Sequence, residues 1–184
     1  QNSHPHVAER IAIVHNGIIE NHDQLRGELP GVEYRSETDS EVAAHLLRAE
    51  VESGADLTTA MRAVVARLEG AFTLVAVDAL DPDRIVAARR NSPLVVGVGD
   101  GEWFLASDVA AFIAYTRDAV ELGQDQIVEL TRDGVTVTTF DGAPAETKAF
   151  HVDWDLEAAQ KQGFDWFMRK EIFEQPHAVA DTLL

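Results

Sequence analysis

The stretch from residue 71 to residue 152 alternates short apolar runs with turn-forming residues, and this alternation restricts the fold more than any other feature. Turns are marked by Asp81-Pro82-Asp83, by Gly99-Asp100-Gly101 and by Asp133-Gly134. Short apolar runs joined by such turns are typical of antiparallel strands connected as hairpins. The predicted strands of this stretch are 71–78, 84–90, 94–98, 102–107, 119–122, 126–131, 135–140 and 149–152.

The residues before this stretch follow a helical period, after one short strand predicted at 11–14. Thr38 with Glu41 three residues later predicts a capping box, which places Asp39 in the first turn of a helix. Helices are predicted at 18–29, at 42–51, at 57–68 with Gly70 as its stop, at 108–115 with Ser107 as its N-cap, and at 165–174 and 178–184 on either side of Pro176. Early helices followed by antiparallel strands indicate an α+β fold in which helices pack on a largely antiparallel sheet.

The composition excludes several classes of function. The 184 residues contain no cysteine, so they supply no disulfide, no thiolate zinc site and no cysteine nucleophile. The formal net charge of −17 argues against nucleic acid or an anionic membrane as a partner. No apolar run reaches the ~20 residues of a membrane span, and residues 1–6 do not resemble a signal peptide.

The tripeptide His15-Asn16-Gly17, at the end of the first predicted strand, has two interpretations. Asn-Gly is a common turn dipeptide, so the tripeptide can be a simple turn. Alternatively, the Asn16 side-chain amide and the Gly17 backbone N–H can aim two donors at one point, as a developing oxyanion requires.

Asp39 and the early histidines also leave alternatives open. A carboxylate in the first turn of a helix usually interacts with the helix dipole, but Asp39 could equally hold a substrate ammonium group. His4 and His6 could project to one side of an extended chain and bind a metal ion. The sequence contains no H-E-x-x-H motif and no thiolate, so we predict no metal site.

The end of the chain is rich in aromatic residues at 164, 166, 167 and 173. A lone terminal helix cannot hide that much apolar surface. It either docks onto the core of this domain or contacts another domain.

Several segments together resemble one known family. They are His4-Pro5-His6-Val7, His15-Asn16-Gly17-Ile18-Ile19-Glu20-Asn21 and Ser36-Glu37-Thr38-Asp39-Ser40-Glu41, followed by Ser92-Pro93-Leu94-Val95-Val96-Gly97 and Phe104-Leu105-Ala106-Ser107-Asp108. In content, order and spacing they resemble the glutaminase domain of class II glutamine amidotransferases. Lys170-Glu171-Ile172-Phe173-Glu174-Gln175-Pro176 is similar to the junction segment of the glutamine–fructose-6-phosphate aminotransferases within that family. His-Asn-Gly alone would also fit other class II amidotransferases.

The resemblance implies an N-terminal-nucleophile hydrolase fold, a sandwich of two antiparallel sheets flanked by helices. In that family an N-terminal cysteine attacks the glutamine side-chain amide, with its own α-amino group as the base. The ammonia released then aminates fructose 6-phosphate to glucosamine 6-phosphate in a sugar isomerase domain. No metal or organic cofactor is implied, and a cytoplasmic homodimer is expected for the complete protein.

Residue by residue, the resemblance assigns the oxyanion hole to Asn16 and Gly17, and glutamine binding to Asp39, Gly17 and His4. Residues 1–152 would form the glutaminase domain without its N-terminal segment, and 153–184 a helical segment and linker towards the isomerase domain. The resemblance also implies a nucleophilic cysteine and, upstream of His4-Pro5-His6, an arginine that binds the substrate carboxylate. Both are missing from these residues, so we expect the chain alone to be inactive. The alternatives are an inactive glutamine-binding or regulatory module, a structural domain that assembles with an isomerase, or the glutaminase of another class II amidotransferase.

Overall fold

The computed structural model of the chain describes residues 2–153 and 163–183. The strands are β1 (His6–Ala8), β2 (Ile11–Ile19), β3 (Gly70–Asp78), β4 (Asp81–Arg90), β5 (Val95–Val98), β6 (Trp103–Ala106), β7 (Asp118–Glu121), β8 (Gln126–Thr131), β9 (Gly134–Thr139) and β10 (Lys148–His151). The helices are α1 (His22–Gly27), α2 (Ser40–Glu52), α3 (Leu57–Val65) and α4 (Phe167–Thr182), with a 3₁₀ turn at Val109–Ala111.

The strands form two antiparallel sheets, as predicted. The larger sheet has the order β1-β2-β3-β4-β8-β9, and the smaller has the order β10-β7-β5-β6. The predicted hairpins β5–β6 and β8–β9 are both present. In the smaller sheet β6 is paired through the described residues only with β5, so its other edge is free.

Two apolar cores separate three layers. One core joins the larger sheet to α1, α2 and α3, and it includes Ile11, Phe72, Leu46 and Met61. The other joins the two sheets and includes Leu94, Val96, Val128 and Leu130, with Val75 and Trp103 at its margin. The predicted sandwich with flanking helices is confirmed.

The turn and the helix predicted after residue 14 are wrong. Strand β2 continues through His15-Asn16-Gly17 to Ile19, and α1 comprises only His22–Gly27 rather than 18–29. The cause is the partner strand, because residues 11–19 pair without interruption with residues 70–78. A continuous ladder satisfies the backbone of β2 and overrides the local turn preference of Asn-Gly.

The predicted capping box at Thr38 and Glu41 does not form. Asp39 is the N-cap of α2 rather than a first-turn residue, and its side chain makes no capping hydrogen bond. The Glu41 carboxylate instead accepts hydrogen bonds from the backbone N–H of Arg35 and of Ser36. Glu41 therefore stabilises the loop before the helix, and the Asp39 carboxylate is left for another partner.

Three other boundaries differ from the predictions. Helix α3 ends at Val65 with Ala66 as its C-cap, so Gly70 lies in β3 and does not stop the helix. Strand β4 already begins at Asp81, within the predicted turn. Of the helix predicted at 108–115 only the 3₁₀ turn forms, and Asp108 rather than Ser107 accepts the capping N–H, from Ala110.

The helix at the end of the chain runs through Pro176 without a break, contrary to the predicted stop. Proline removes one helical hydrogen bond. Because α4 is exposed on most sides, water can satisfy the carbonyl group that this loss leaves free. Phe167, Ile172 and Phe173 of α4 are each more than half exposed, so they do not dock onto the described core. None of the described helices is both long enough and apolar enough to span a membrane.

Candidate active site

Strand β2 approaches β3 so closely at Gly17 that no other residue fits there. An added Cβ atom would lie 2.0 Å from the carbonyl oxygen of Ala71 and 2.8 Å from the Cα atom of Phe72. The φ angle of Gly17 is +132°, which side chains with a Cβ atom rarely adopt. This close approach holds the Asn16–Gly17 peptide of β2 against β3.

The ladder also fixes the direction of the backbone N–H groups of β2. Just beyond its two ends, Glu20 N donates to Glu69 O and Ala79 N donates to Arg10 O, both at 2.9 Å. Hydrogen-bonded pairs alternate in an antiparallel ladder, so the odd-numbered N–H groups of β2 point away from β3. Two of them have partners on that side, because His15 N donates to His4 Nε2 (3.3 Å) and Ile19 N donates to Asp39 Oδ2 (2.7 Å).

Gly17 lies midway between these two donors. The same alternation predicts that its N–H also points away from β3, to the side where His4 and Asp39 lie. Since β1 pairs with β2 only at residues 11–13, it does not reach Gly17. The Gly17 N–H is therefore a backbone donor that β1 and β3 leave available.

The Asn16 side chain lies on the face of the larger sheet that is turned towards the smaller one. It is exposed, and its carboxamide has no hydrogen-bond partner among residues 2–153 and 163–183. It borders a cavity of about 170 Å³ between the sheets, which is lined by Val14, His15, Asn16, Thr73, Val75, Leu94, Leu105, Ala106 and Ser107. A free amide donor thus faces a small cavity, next to the N–H of Gly17.

The Asp39 carboxylate is fixed but remains accessible. Oδ2 accepts the Ile19 N–H, and Oδ1 accepts the Ser40 hydroxyl at 3.3 Å. The side chain is 20% exposed. These two bonds hold a negative charge near the end of β2, where it can bind a cation.

His15 completes this network from the buried side. Its Nδ1 lies 2.9 Å from Ser40 Oγ and 3.8 Å from Asp39 Oδ1, and its side chain is almost fully buried. Burial lowers the pKa of His15, and the nearby Asp39 carboxylate only partly opposes this effect. Because the Ser40 hydroxyl donates its one hydrogen to Asp39, a neutral His15 donates from Nδ1 to Ser40 Oγ, so it steadies Ser40 without adding charge.

The histidines of the predicted metal alternative are engaged in other contacts. His4 accepts the His15 N–H, and His6 Nε2 lies 3.3 Å from Thr38 Oγ1. Burial lowers the pKa of His6, with His4 adding to the effect. Across the part of the chain that the structure describes, no three His, Cys, Asp or Glu side chains are grouped as a metal site requires.

The loop before α2 is held by a buried carboxylate. Glu41 accepts the N–H groups of Arg35 and Ser36 and the Ser36 hydroxyl, the last at 2.6 Å. Burial alone would raise the pKa of Glu41, but these hydrogen bonds lower it to about 2. Because the loop leads directly into Asp39, Glu41 helps to place the carboxylate of the candidate site.

Two hydrogen bonds thus connect His4 and Asp39 to β2, at His15 and at Ile19, and Gly17 lies within the same strand. Asn16 belongs to the same strand but faces the cavity. Sequence reasoning missed the buried polar residues behind the site, Ser40 and Ser92. Both lie in segments that carry the family resemblance, but their contacts exist only in the folded chain.

The comparisons with known proteins identify the family of the chain. The family model of the glutamine amidotransferase domain matches residues 1–114. The glutamine–fructose-6-phosphate aminotransferase (isomerizing) of Streptomyces coelicolor is 68% identical over 100% of this chain, and that of Mycolicibacterium smegmatis is 58% identical over 100%. The chain spans 30% and 31% of the length of these two relatives.

Solved structures show the same fold. Glutamine phosphoribosylpyrophosphate amidotransferase from B. subtilis superimposes with a TM-score of 0.60 and 24% identity, over 71% of this chain and 29% of that one. A glutamine aminotransferase class-II domain protein from Silicibacter pomeroyi gives a TM-score of 0.56 and 22% identity, over 76% and 70% of the two chains. The family match covers more than half of the chain, and the fold agrees with it. The chain belongs to the glutamine amidotransferase domain family.

Proposed function

We propose that this chain is the greater part of a glutaminase domain that hydrolyses the side-chain amide of glutamine and supplies ammonia for the amination of fructose 6-phosphate. The product would be glucosamine 6-phosphate, made by a sugar isomerase domain of the same polypeptide. We assign residues 1–152 to the glutaminase domain and 153–184 to the helical segment that leads to the isomerase. We further expect a cytoplasmic homodimer.

The observation that carries the proposal is an unengaged donor on β2 together with an anion that is fixed against the same strand. The Asn16 carboxamide has no partner among the described residues and faces a cavity, next to Gly17. Asp39 is held by the Ile19 N–H. A bound amino acid needs an anion for its α-ammonium group, and acyl transfer needs donors for the carbonyl oxygen that becomes an oxyanion.

The nucleophile in this mechanism is a cysteine outside these 184 residues, since they contain none. Its thiolate attacks the side-chain carbonyl carbon of glutamine, and the carbonyl oxygen becomes an anion that Asn16 Nδ2–H and the Gly17 N–H stabilise. The tetrahedral intermediate expels ammonia after a proton reaches the nitrogen, and a thioester remains. Water then hydrolyses the thioester through a second oxyanion in the same place, which releases glutamate and the thiol.

Exposed apolar residues on the larger sheet support a position for the strand that carries this cysteine. On the face turned towards the smaller sheet, Val7, Val14 and Val77 are each more than a third exposed. Their strands are neighbours in the larger sheet, and the register puts Val7 and Val77 opposite the same residue, Ala12. Val14 lines the same cavity as Leu105 and Ala106 of β6, the strand at the edge of the smaller sheet. An apolar strip next to such an edge can accept one more strand, and we place the nucleophile there.

The test uses the complete gene product that contains this chain. Its coding sequence is expected to place a cysteine directly after the initiator methionine. Replacing Asn16 with Ala should lower kcat for glutamine hydrolysis by roughly 10²–10³, the typical cost of one oxyanion-hole donor, with little change in KM. Asn2→Ala, at an exposed position, is the control and should leave kcat unchanged. A wild-type kcat in Asn16→Ala would remove Asn16 from the oxyanion hole.

A further inference from the structure

A buried serine from a distant part of the chain contacts the peptide group at the centre of the candidate site. The Ser92 hydroxyl donates to the carbonyl oxygen of Asn16 at 3.3 Å. Ser92 is 9% exposed and lies between β4 and β5, whereas Asn16 lies in the middle of β2. The contact therefore joins two segments that are 76 residues apart in sequence.

The geometry of the peptide bond transmits this contact to the neighbouring N–H. The carbonyl oxygen of Asn16 and the N–H of Gly17 belong to one planar unit, and in a trans peptide they point in opposite directions. The carbonyl oxygen of Asn16 already faces Thr73 in the β2–β3 ladder, and the Ser92 hydroxyl adds a further donor from another segment. A bond that restricts the direction of the oxygen also restricts the direction of the N–H. It polarises the amide as well, so the N–H becomes a stronger donor.

The segment that holds Ser92 is itself tied down. The Thr73 hydroxyl donates to Pro93 O at 3.1 Å, and Thr73 lies directly opposite Asn16 in the β2–β3 ladder. On the other side of Ser92, the Asn91 N–H donates to the Gln124 side chain at 2.8 Å. Because both neighbours of Ser92 are anchored, its hydroxyl has a fixed position against Asn16.

We propose that Ser92 is a positioning residue for the oxyanion hole, which orients and polarises the Gly17 N–H through the carbonyl group of Asn16. This inference rests on the proposed function, because it takes the Gly17 N–H as an oxyanion donor. Ser92 itself contacts neither glutamine nor the oxyanion. Its effect is confined to the strength and direction of one donor.

The experiment replaces Ser92 with Ala in the complete gene product. Complete loss of an oxyanion donor typically costs about 10²–10³ in rate, and a donor that is only misdirected should cost less, so we expect kcat to fall about tenfold with KM unchanged. Ser92→Thr keeps the hydroxyl and should recover most of kcat. Ser53→Ala is the matched control, since the Ser53 hydroxyl also donates to a backbone carbonyl, that of Glu50, far along α2 from Asp39.

A binding measurement separates positioning from a general structural role. The thiolate adds to the γ-aldehyde of glutamate and forms a tetrahedral adduct with a negatively charged oxygen, whereas glutamate itself binds without forming such an adduct. In Ser92→Ala the affinity for the aldehyde should fall by the same factor as kcat, and the affinity for glutamate should stay at the wild-type value. Equal losses for both ligands, or an unchanged kcat, would overturn the positioning role.

The outcomes also distinguish this inference from the proposed function. If Asn16→Ala lowers kcat but Ser92→Ala does not, only the role of Ser92 is wrong. If the wild-type gene product does not hydrolyse glutamine at all, the proposed function fails. Thermal unfolding of each variant shows whether the protein is folded. If Ser92→Ala does not fold, the comparison moves to Thr73→Ala, which frees the Pro93 carbonyl and should give the same split between kcat and KM.

Discussion

Replacing Gly17 with Ala should unfold the larger sheet around β2 rather than merely strain it. The new Cβ atom would lie 2.0 Å from Ala71 O, well below any ordinary contact, and the obstacle is backbone that cannot rotate away. The positive φ angle alone costs roughly 1–3 kcal/mol for a residue with a side chain. The clash adds to this, so we expect the free energy of unfolding to fall by more than about 4 kcal/mol. Single substitutions rarely cost this much.

Gly54→Ala provides the matched control. Gly54 has a φ angle of +106°, and no atom lies within 4 Å of an added Cβ. The two variants share the cost of the positive φ angle and the stabilisation that arises because Ala restricts the unfolded chain. Their difference therefore isolates the contact between β2 and β3.

Differential scanning calorimetry of the complete gene product measures this difference. For a domain of this size, 1 kcal/mol corresponds to about 2–4 °C in Tm, so Gly54→Ala should lower Tm by only a few degrees. Gly17→Ala should lower it by more than about 10 °C or prevent folding altogether. If Gly17→Ala lowers Tm no more than Gly54→Ala does, the close approach of the two strands is not what requires a glycine.

Two further predictions concern carboxylates. The pKa of Glu41 falls from 4.5 to about 2 on folding. The ionised carboxylate therefore stabilises the fold by on the order of 3 kcal/mol above pH 4.5, and this contribution is lost as the pH falls from 4.5 to 2. In urea titrations Glu41→Gln should be less stable than the wild type at pH 7, and the gap should close near pH 2; a gap that does not change with pH would contradict this. Asp39→Asn should raise KM for glutamine about tenfold or more, because a charged acceptor for the α-ammonium group is lost. The effect on kcat should be smaller, and an unchanged KM would refute the ammonium contact.

The strands of the second half of the chain could be predicted because their signal is local. Each is a short apolar run between turn residues, and β8 spans 126–131 as predicted. Strand β2 could not be delimited in the same way. Its continuation through Asn16 and Gly17 depends on pairing with β3, more than fifty residues later in the chain, and no local pattern reports that partner.

The site residues could be predicted from the sequence, but on other grounds than the strands. Asn16, Gly17 and Asp39 came from resemblance and from their ability to donate or to carry charge, not from their predicted local structure. For Asp39 the predicted structural role was wrong, because its carboxylate binds the Ile19 N–H rather than the start of its own helix. Ser92 illustrates what remains hidden: a buried serine before a proline is typical of a turn, and its contact with Asn16 exists only in the folded chain.

The direction of the backbone donors explains why the site is built on a strand rather than on a loop. Three successive outward N–H groups of β2 belong to His15, Gly17 and Ile19, and the outer two are occupied by His4 and Asp39. In the proposed function the middle one donates to the ligand, and it belongs to the residue that cannot carry a side chain. Since Gly17→Ala is expected to destroy the sheet along with the donor, it cannot measure the contribution of that donor. The carbonyl side of the same peptide can be perturbed without adding an atom, which makes Ser92→Ala the more informative substitution for the chemistry of Gly17.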